Sequence, residues 1–100
     1  MVQATTPTFL LTLPSSVDLS LIQTMLFTLE QGCVEIDKTG NDLSIDGQTV
    51  SVWLSQEETL RFKKGPARLQ LNWTYSDGKR ACSKIVGVEV SPNLFAEVLE

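Results

Sequence analysis

Ala67-Arg68-Leu69-Gln70-Leu71-Asn72-Trp73-Thr74-Tyr75 is the stretch that decides how this chain folds. Its odd positions are apolar or aromatic and its even positions polar, without exception. Side chains on a strand change face at every residue, so the alternation puts one face in a core and the other in water. On a helix the same residues would be scattered round the circumference. Gly65-Pro66 introduces the stretch, and Ser76-Asp77-Gly78 closes it with the chemistry of a hairpin turn. Burying Leu69, Leu71 and Trp73 stabilises the fold by roughly 2–3 kcal/mol each relative to exposure.

Downstream of that strand, Lys79–Val90 reads as its return. Val86, Val88 and Val90 share one face, with Gly87 and Glu89 on the other. Carried backward, that parity puts Lys84 inside, so a bulge or bend is expected near Ser83–Ile85. Ser91-Pro92 then opens a short C-terminal tail, 91–100, with serine as cap and proline at the first helical position. In it Leu94, Phe95, Val98 and Leu99 fall on one face of a short helix and form a candidate interface.

Upstream, Ser55-Gln56-Glu57-Glu58 matches a capping box and opens a helix of barely two turns over Ser55–Phe62. Lys63-Lys64-Gly65-Pro66 ends it, with Gly65 as the left-handed cap. Before it lies a strand, Thr49–Leu54, with Val50, Val52 and Leu54 on one face and Ser51 and Trp53 on the other. By this parity Trp53 is an exposed aromatic platform for a sugar or a protein partner, whereas Trp73 belongs to the core. Leu43-Ser44-Ile45 is a short strand closed by Asp46-Gly47, and Thr39-Gly40-Asn41-Asp42 is a turn. Cys33–Lys38 forms a short partner strand after the break at Gly32.

Leu19–Gln31 has two readings. Val17, Leu21 and Met25 have helical spacing, but Met25, Phe27 and Leu29 alternate with Thr24, Thr28 and Glu30, and threonine is a poor helix former. The strand, from about Ile22, is the reading taken here. Thr8–Leu13 is the first strand, stopped by Pro14, with Leu10 the exception to its alternation. Ser15–Asp18 is a turn, and residues 1–6 are a flexible arm. The expected architecture is one domain, 1–100: an all-β, immunoglobulin-like antiparallel β-sandwich of roughly seven strands with one short helix.

Composition narrows function mainly by exclusion. The chain has 100 residues, 42% of them hydrophobic and 20% charged, in the range of an ordinary globular domain. No apolar run approaches the roughly 20 residues of a membrane helix, and no basic segment precedes an apolar one as in a signal peptide. A cytoplasm is therefore the expected place of folding. The net charge of −4 and the thinly spread basic residues argue against nucleic acid. Cys33 and Cys82 are expected to be reduced, small and mostly buried.

The chain holds no histidine, so neither a Ser-His-Asp nor a Cys-His arrangement is available. Two isolated cysteines make no metal site. Asp37, Asn41, Asp42 and Asp46 crowd one region but fail the EF-hand spacing, and turn formation explains them. No glycine-rich phosphate loop is present. No enzyme, cofactor or metal is expected.

The run from Thr49 to Val90 carries a resemblance. A strand leads into Leu54-Ser55-Gln56-Glu57-Glu58-Thr59-Leu60. A Lys/Gly turn follows, then Ala67-Arg68-Leu69-Gln70-Leu71, Ser76-Asp77-Gly78-Lys79 and a valine-rich strand. The pattern resembles small virion-associated proteins of tailed phages and prophages of Gram-positive bacteria, and the N-terminal β-sandwich of their baseplate upper proteins. Thr5-Thr6-Pro7-Thr8 ahead of a threonine-rich strand is similar too. The resemblance implies a non-enzymatic part of a virion in head, connector or baseplate. It also implies self-association or protein partners, and a path from host cytoplasm to virion. A small carbohydrate- or ligand-binding sandwich is the alternative.

Overall fold

The computed structural model describes residues 1–100. Eight strands and one helical turn follow in order: β1 (Thr8–Thr12), β2 (Ile22–Gln31), β3 (Val34–Thr39), β4 (Leu43–Asp46), β5 (Thr49–Trp53), α1 (Gln56–Thr59), β6 (Gly65–Tyr75), β7 (Arg80–Cys82) and β8 (Val86–Val90). They make two antiparallel sheets. The smaller has the order β1-β5-β4, and the larger the order β3-β2-β6, with β7 and β8 sharing the far edge of β6. The chain is thus an all-β sandwich with one short helix. The common immunoglobulin arrangement puts the second strand between the first and the fifth. Here β2 lies in the other sheet, so the likeness is one of architecture.

β6 is the spine of the larger sheet. Leu69, Leu71 and Trp73 face the core, with Trp73 only 4% exposed, while Arg68, Gln70 and Asn72 line the outer face. Met25, Phe27 and Leu29 of β2 oppose Trp73, Leu71 and Leu69 in register. Val50, Val52 and Leu54 come from the smaller sheet and its exit, and Phe62 from the corner that follows. Phe9 and Phe27 meet across the two layers, their ring centroids 5.9 Å apart. In Ile22–Gln31 the strand period prevails over the helical one because a helical stripe would present Leu21, which is exposed, to nothing. Leu19–Leu21 is a 3-10 turn that Asp18 caps by accepting from the Ser20 amide.

The capping box is present. Ser55 Oγ accepts from the Glu58 amide at 3.2 Å, and the Glu58 carboxylate accepts from the Ser55 amide at 2.9 Å. The helix is a single turn, because the chain must bend at once to place Phe62 in the core. Its last cap is therefore Leu60. Gly65 is the first residue of β6, where its φ of 131° suits glycine, and not the helix cap that the sequence suggests.

The return strand breaks where parity requires. Between β7 and β8, Ser83 takes over the ladder: its amide donates to Leu71 O and its Oγ accepts from Leu71 N, both at 2.9 Å. Lys84 is thereby turned out to solvent.

Three local expectations differ. Residues 1–3 are tied down, with Met1 N donating to Glu89 O, Ser91 N to Met1 O and Gln3 N to Ser91 O. Residues 92–100 form neither helix nor strand. Asn93 Oδ1 accepts from the Phe95 amide at 3.1 Å, a local bond that competes with the helical one, and so short a helix has too few hydrogen bonds to persist undocked. Finally, Cys33 and Cys82 are both exposed and free. Cys33 follows the turn glycine at a hairpin tip, and Cys82 is on the outer face opposite Asn72.

Candidate functional site

The two flanks of the sandwich differ. On one, β3 passes directly into β4 through Gly40–Asp42, so the chain itself joins the sheets. On the other, β1 ends the smaller sheet and β7 and β8 end the larger, and residues 1–3 bond along Glu89–Ser91 before the chain enters β1. Between these edges runs a trough of about 840 Å³, lined chiefly by Leu11, Leu13, Val17, Leu69, Trp73 and Val86. Lys84 is its one charged residue. Trp73, which lines it, has a buried indole N–H with no acceptor within the chain.

The β1 edge bears a row of free backbone groups. Leu54 N donates to Pro7 O and Leu13 N to Gln48 O, which fixes the phase of the β1–β5 ladder. Alternate residues of an antiparallel pair exchange both bonds, so Phe9 and Leu11 bond to β5. Thr8, Leu10 and Thr12 then turn their N–H and C=O away from β5, to the open side. An edge of this kind is a template for another strand.

Beside that edge, on the outer face of the smaller sheet, two large apolar side chains meet solvent. Leu10 is 69% exposed and Trp53 59%. Trp53 pairs with Thr8 and Leu10 with Ser51, which makes them diagonal neighbours roughly 7–8 Å apart at Cα. Trp53 therefore stands where strand parity places it. Of the tail residues, Leu94 is fully exposed, Leu99 largely so, Phe95 about half and Val98 39%. The tail is held by one side-chain amide at its end: Gln56 donates to Leu99 O at 3.1 Å and accepts from Leu99 N at 2.8 Å. Gln56 lies three residues after Trp53, so the end of the tail and Trp53 belong to the same end of the molecule. Leu10 and the trough are what strand-by-strand reading misses. The only local signal is Leu10 itself, an apolar residue on a solvent-facing position.

Chemistry elsewhere is sparse. No group of three or more Cys, Asp or Glu converges as metal ligands would. Glu30, Glu35 and Asp37 share the outer face of β2 and β3, where Arg68 pairs with Glu30. Asp37, first by side-chain hydrogen bonding and then by its charge, pushes the exposed Glu35 carboxyl above its usual range. A second cleft of about 680 Å³, lined in part by Ile22, Leu43, Ile45 and Trp73, gathers no titratable pair. No helix is long and apolar enough to cross a membrane. Comparison with protein-family models, with curated proteins and with solved structures found no match.

Proposed function

We propose that the chain is a non-enzymatic structural or assembly protein of a tailed phage or prophage virion, working through protein–protein contacts in head, connector or baseplate. One observation carries this reading. Leu10 and Trp53 meet solvent beside an unpaired strand edge, and Leu94, Phe95, Val98 and Leu99 meet solvent on the C-terminal tail, the make-up of a docking surface. The absence of histidine from the sequence supports a binding role over catalysis. The resemblance of the 49–90 run to small virion proteins supports the setting, with folding in the host cytoplasm before incorporation. No cofactor and no nucleic acid enter this role.

Mass spectrometry of gradient-purified particles tests it. The chain is expected at a constant ratio to the major capsid protein across the particle peak, and its absence from particles would remove the virion reading. The exposure of Trp53 favours a second reading, a carbohydrate-binding module. A glycan screen read by Trp53 emission distinguishes the two, since the assembly role expects no glycan response that Trp53→Ala abolishes.

A further inference from the structure

We propose that the trough between β1 and β7–β8 is a binding site for a small aliphatic carboxylate, with its hydrocarbon chain along the trough and its head on Lys84. The site is independent of the assembly reading, and particle composition has no bearing on it. At about 840 Å³ the trough falls within the roughly 300–1,000 Å³ of small-molecule sites. Its floor belongs to the core, through the buried Leu13, Leu69 and Trp73. Above them Leu11, Val17 and Val88 are half-buried and Val86 is 46% exposed, so apolar surface there meets water that an aliphatic body would displace. The lining follows β1 from Phe9 to Leu13 on one side and runs from Ala81 to Val88 on the other, a course that suits an extended chain.

Charge selects the head. None of the chain's twelve acidic residues lines the trough, and its single charged side chain is the exposed Lys84. The chain's two ion pairs are Lys38–Glu58 and Arg68–Glu30, so the Lys84 ammonium has no carboxylate of its own. Other polar groups in the lining are already engaged: Thr12 bonds to Thr49, and Ser83 Oγ accepts from Leu71 N and donates to Lys84 O. An ammonium on a long apolar stem, left without a partner beside an aliphatic channel, matches an anion that carries a hydrocarbon body. The second cleft differs on this count, because its cation, Arg80, already donates to Asn72 Oδ1 at 3.0 Å.

Fluorescence titration of the full chain with laurate tests the proposal. Trp53→Phe leaves Trp73 as the only tryptophan, and Trp53 is exposed and outside the trough. In that background laurate, kept below its micellar concentration, is expected to shift Trp73 emission and to saturate at one molecule per chain. Octanoate and decanoate should bind in order of length, with roughly tenfold in affinity for every two carbons buried. Lys84→Gln should weaken laurate about fivefold and leave the uncharged dodecanol unaffected. Val86→Glu places a like charge in the trough and should abolish laurate binding with an unchanged circular dichroism spectrum. The absence of a saturable shift with laurate overturns the site. Laurate binding untouched by Val86→Glu overturns the trough as its place. Laurate binding untouched by Lys84→Gln, with dodecanol bound as tightly, overturns the carboxylate as the head.

Discussion

The two flanks of this sandwich solve the problem of the sheet edge in opposite ways. At β3 the edge carries an inward-facing lysine, Lys38, which pairs with Glu58 of α1 at 2.8 Å, with the two side chains 17% and 26% exposed. The same Glu58 caps α1, so one carboxylate fastens the corner to the edge of the larger sheet. Gln31 adds two bonds to the chain beyond the helix, donating to Lys63 O at 2.8 Å and accepting from Lys63 N at 2.7 Å. An inward charge and a covering corner are the usual defences of an edge against stray pairing. At β1 neither is present. Its outward positions are Thr8, Leu10 and Thr12, and its neighbour across the gap contributes Val86. In so small a sandwich, one flank is finished by an ion pair and a covering corner, and the other is left apolar beside an unpaired strand edge.

The largest effect is expected beneath the open flank. Trp73→Ala should cost roughly 3–5 kcal/mol in denaturant unfolding, from lost burial and the cavity left behind. Trp73 opposes Met25 on one side and Ala81 on the other, and its indole forms part of the trough wall. A loss under about 1 kcal/mol would mean that water already reaches this layer, and the two flanks would then differ far more deeply than in their edges.

The finished flank gives a smaller effect with a distinct pH signature. Burial pushes the Glu58 carboxyl up, but hydrogen bonds from Lys38 and Ser55 and the Lys38 charge outweigh it and hold the group below its usual value of 4.5. A carboxyl depressed in the folded state stabilises fully above its unfolded value, and that contribution is lost as pH falls through the folded value. Wild type should therefore lose stability as pH drops below 4.5. Glu58→Gln keeps an acceptor for the Ser55 amide while removing the charge. It should cost roughly 0.5–1 kcal/mol at neutral pH, and the difference from wild type should shrink toward zero in acid. A difference that stays constant from neutral to acid pH would show that the ion pair contributes nothing and that the corner is held by its cap alone.

Much of this was legible residue by residue. The alternation of Ala67–Tyr75, the capping box at Ser55 and the break at Ser83 are local devices, and each is written in adjacent side chains. The position of β2 is different. Its inward Met25, Phe27 and Leu29 say that one face is buried, but not whether its neighbours are β3 and β6 or β1 and β5, because that choice is made by pairing across the sheet. The tail misled for a related reason. Spacings of one, three and four suit a helix, yet no surface of the same molecule receives that face, and Asn93 supplies a competing turn. Cys33 and Cys82 read as small buried hydrophobes, whereas a hairpin tip and an outer face leave them open. The candidate site was half visible: Trp53 followed from parity, while the trough exists only once β1 and β8 face each other.

The smallest effect belongs to the open edge, and its dependence on concentration is what makes it informative. Leu10 is exposed and its backbone is unpaired on one side, so Leu10→Thr removes almost no packing and installs a good strand former. In dilute solution the change should lie within about 0.5 kcal/mol of zero, the range of ordinary surface substitutions. At higher concentration the wild type gains stability from any copy that binds its folded edge, by an amount that grows with the logarithm of free chain above the dissociation constant. The substituted chain, having lost an exposed leucine from that edge, gains less. Thermal melts across a hundredfold range of concentration should therefore coincide at the dilute end and separate steadily toward the concentrated one. Parallel curves would leave Leu10 as an isolated surface residue. A large deficit already present in dilute solution would mean that the monomer covers it, closing the flank described here as open.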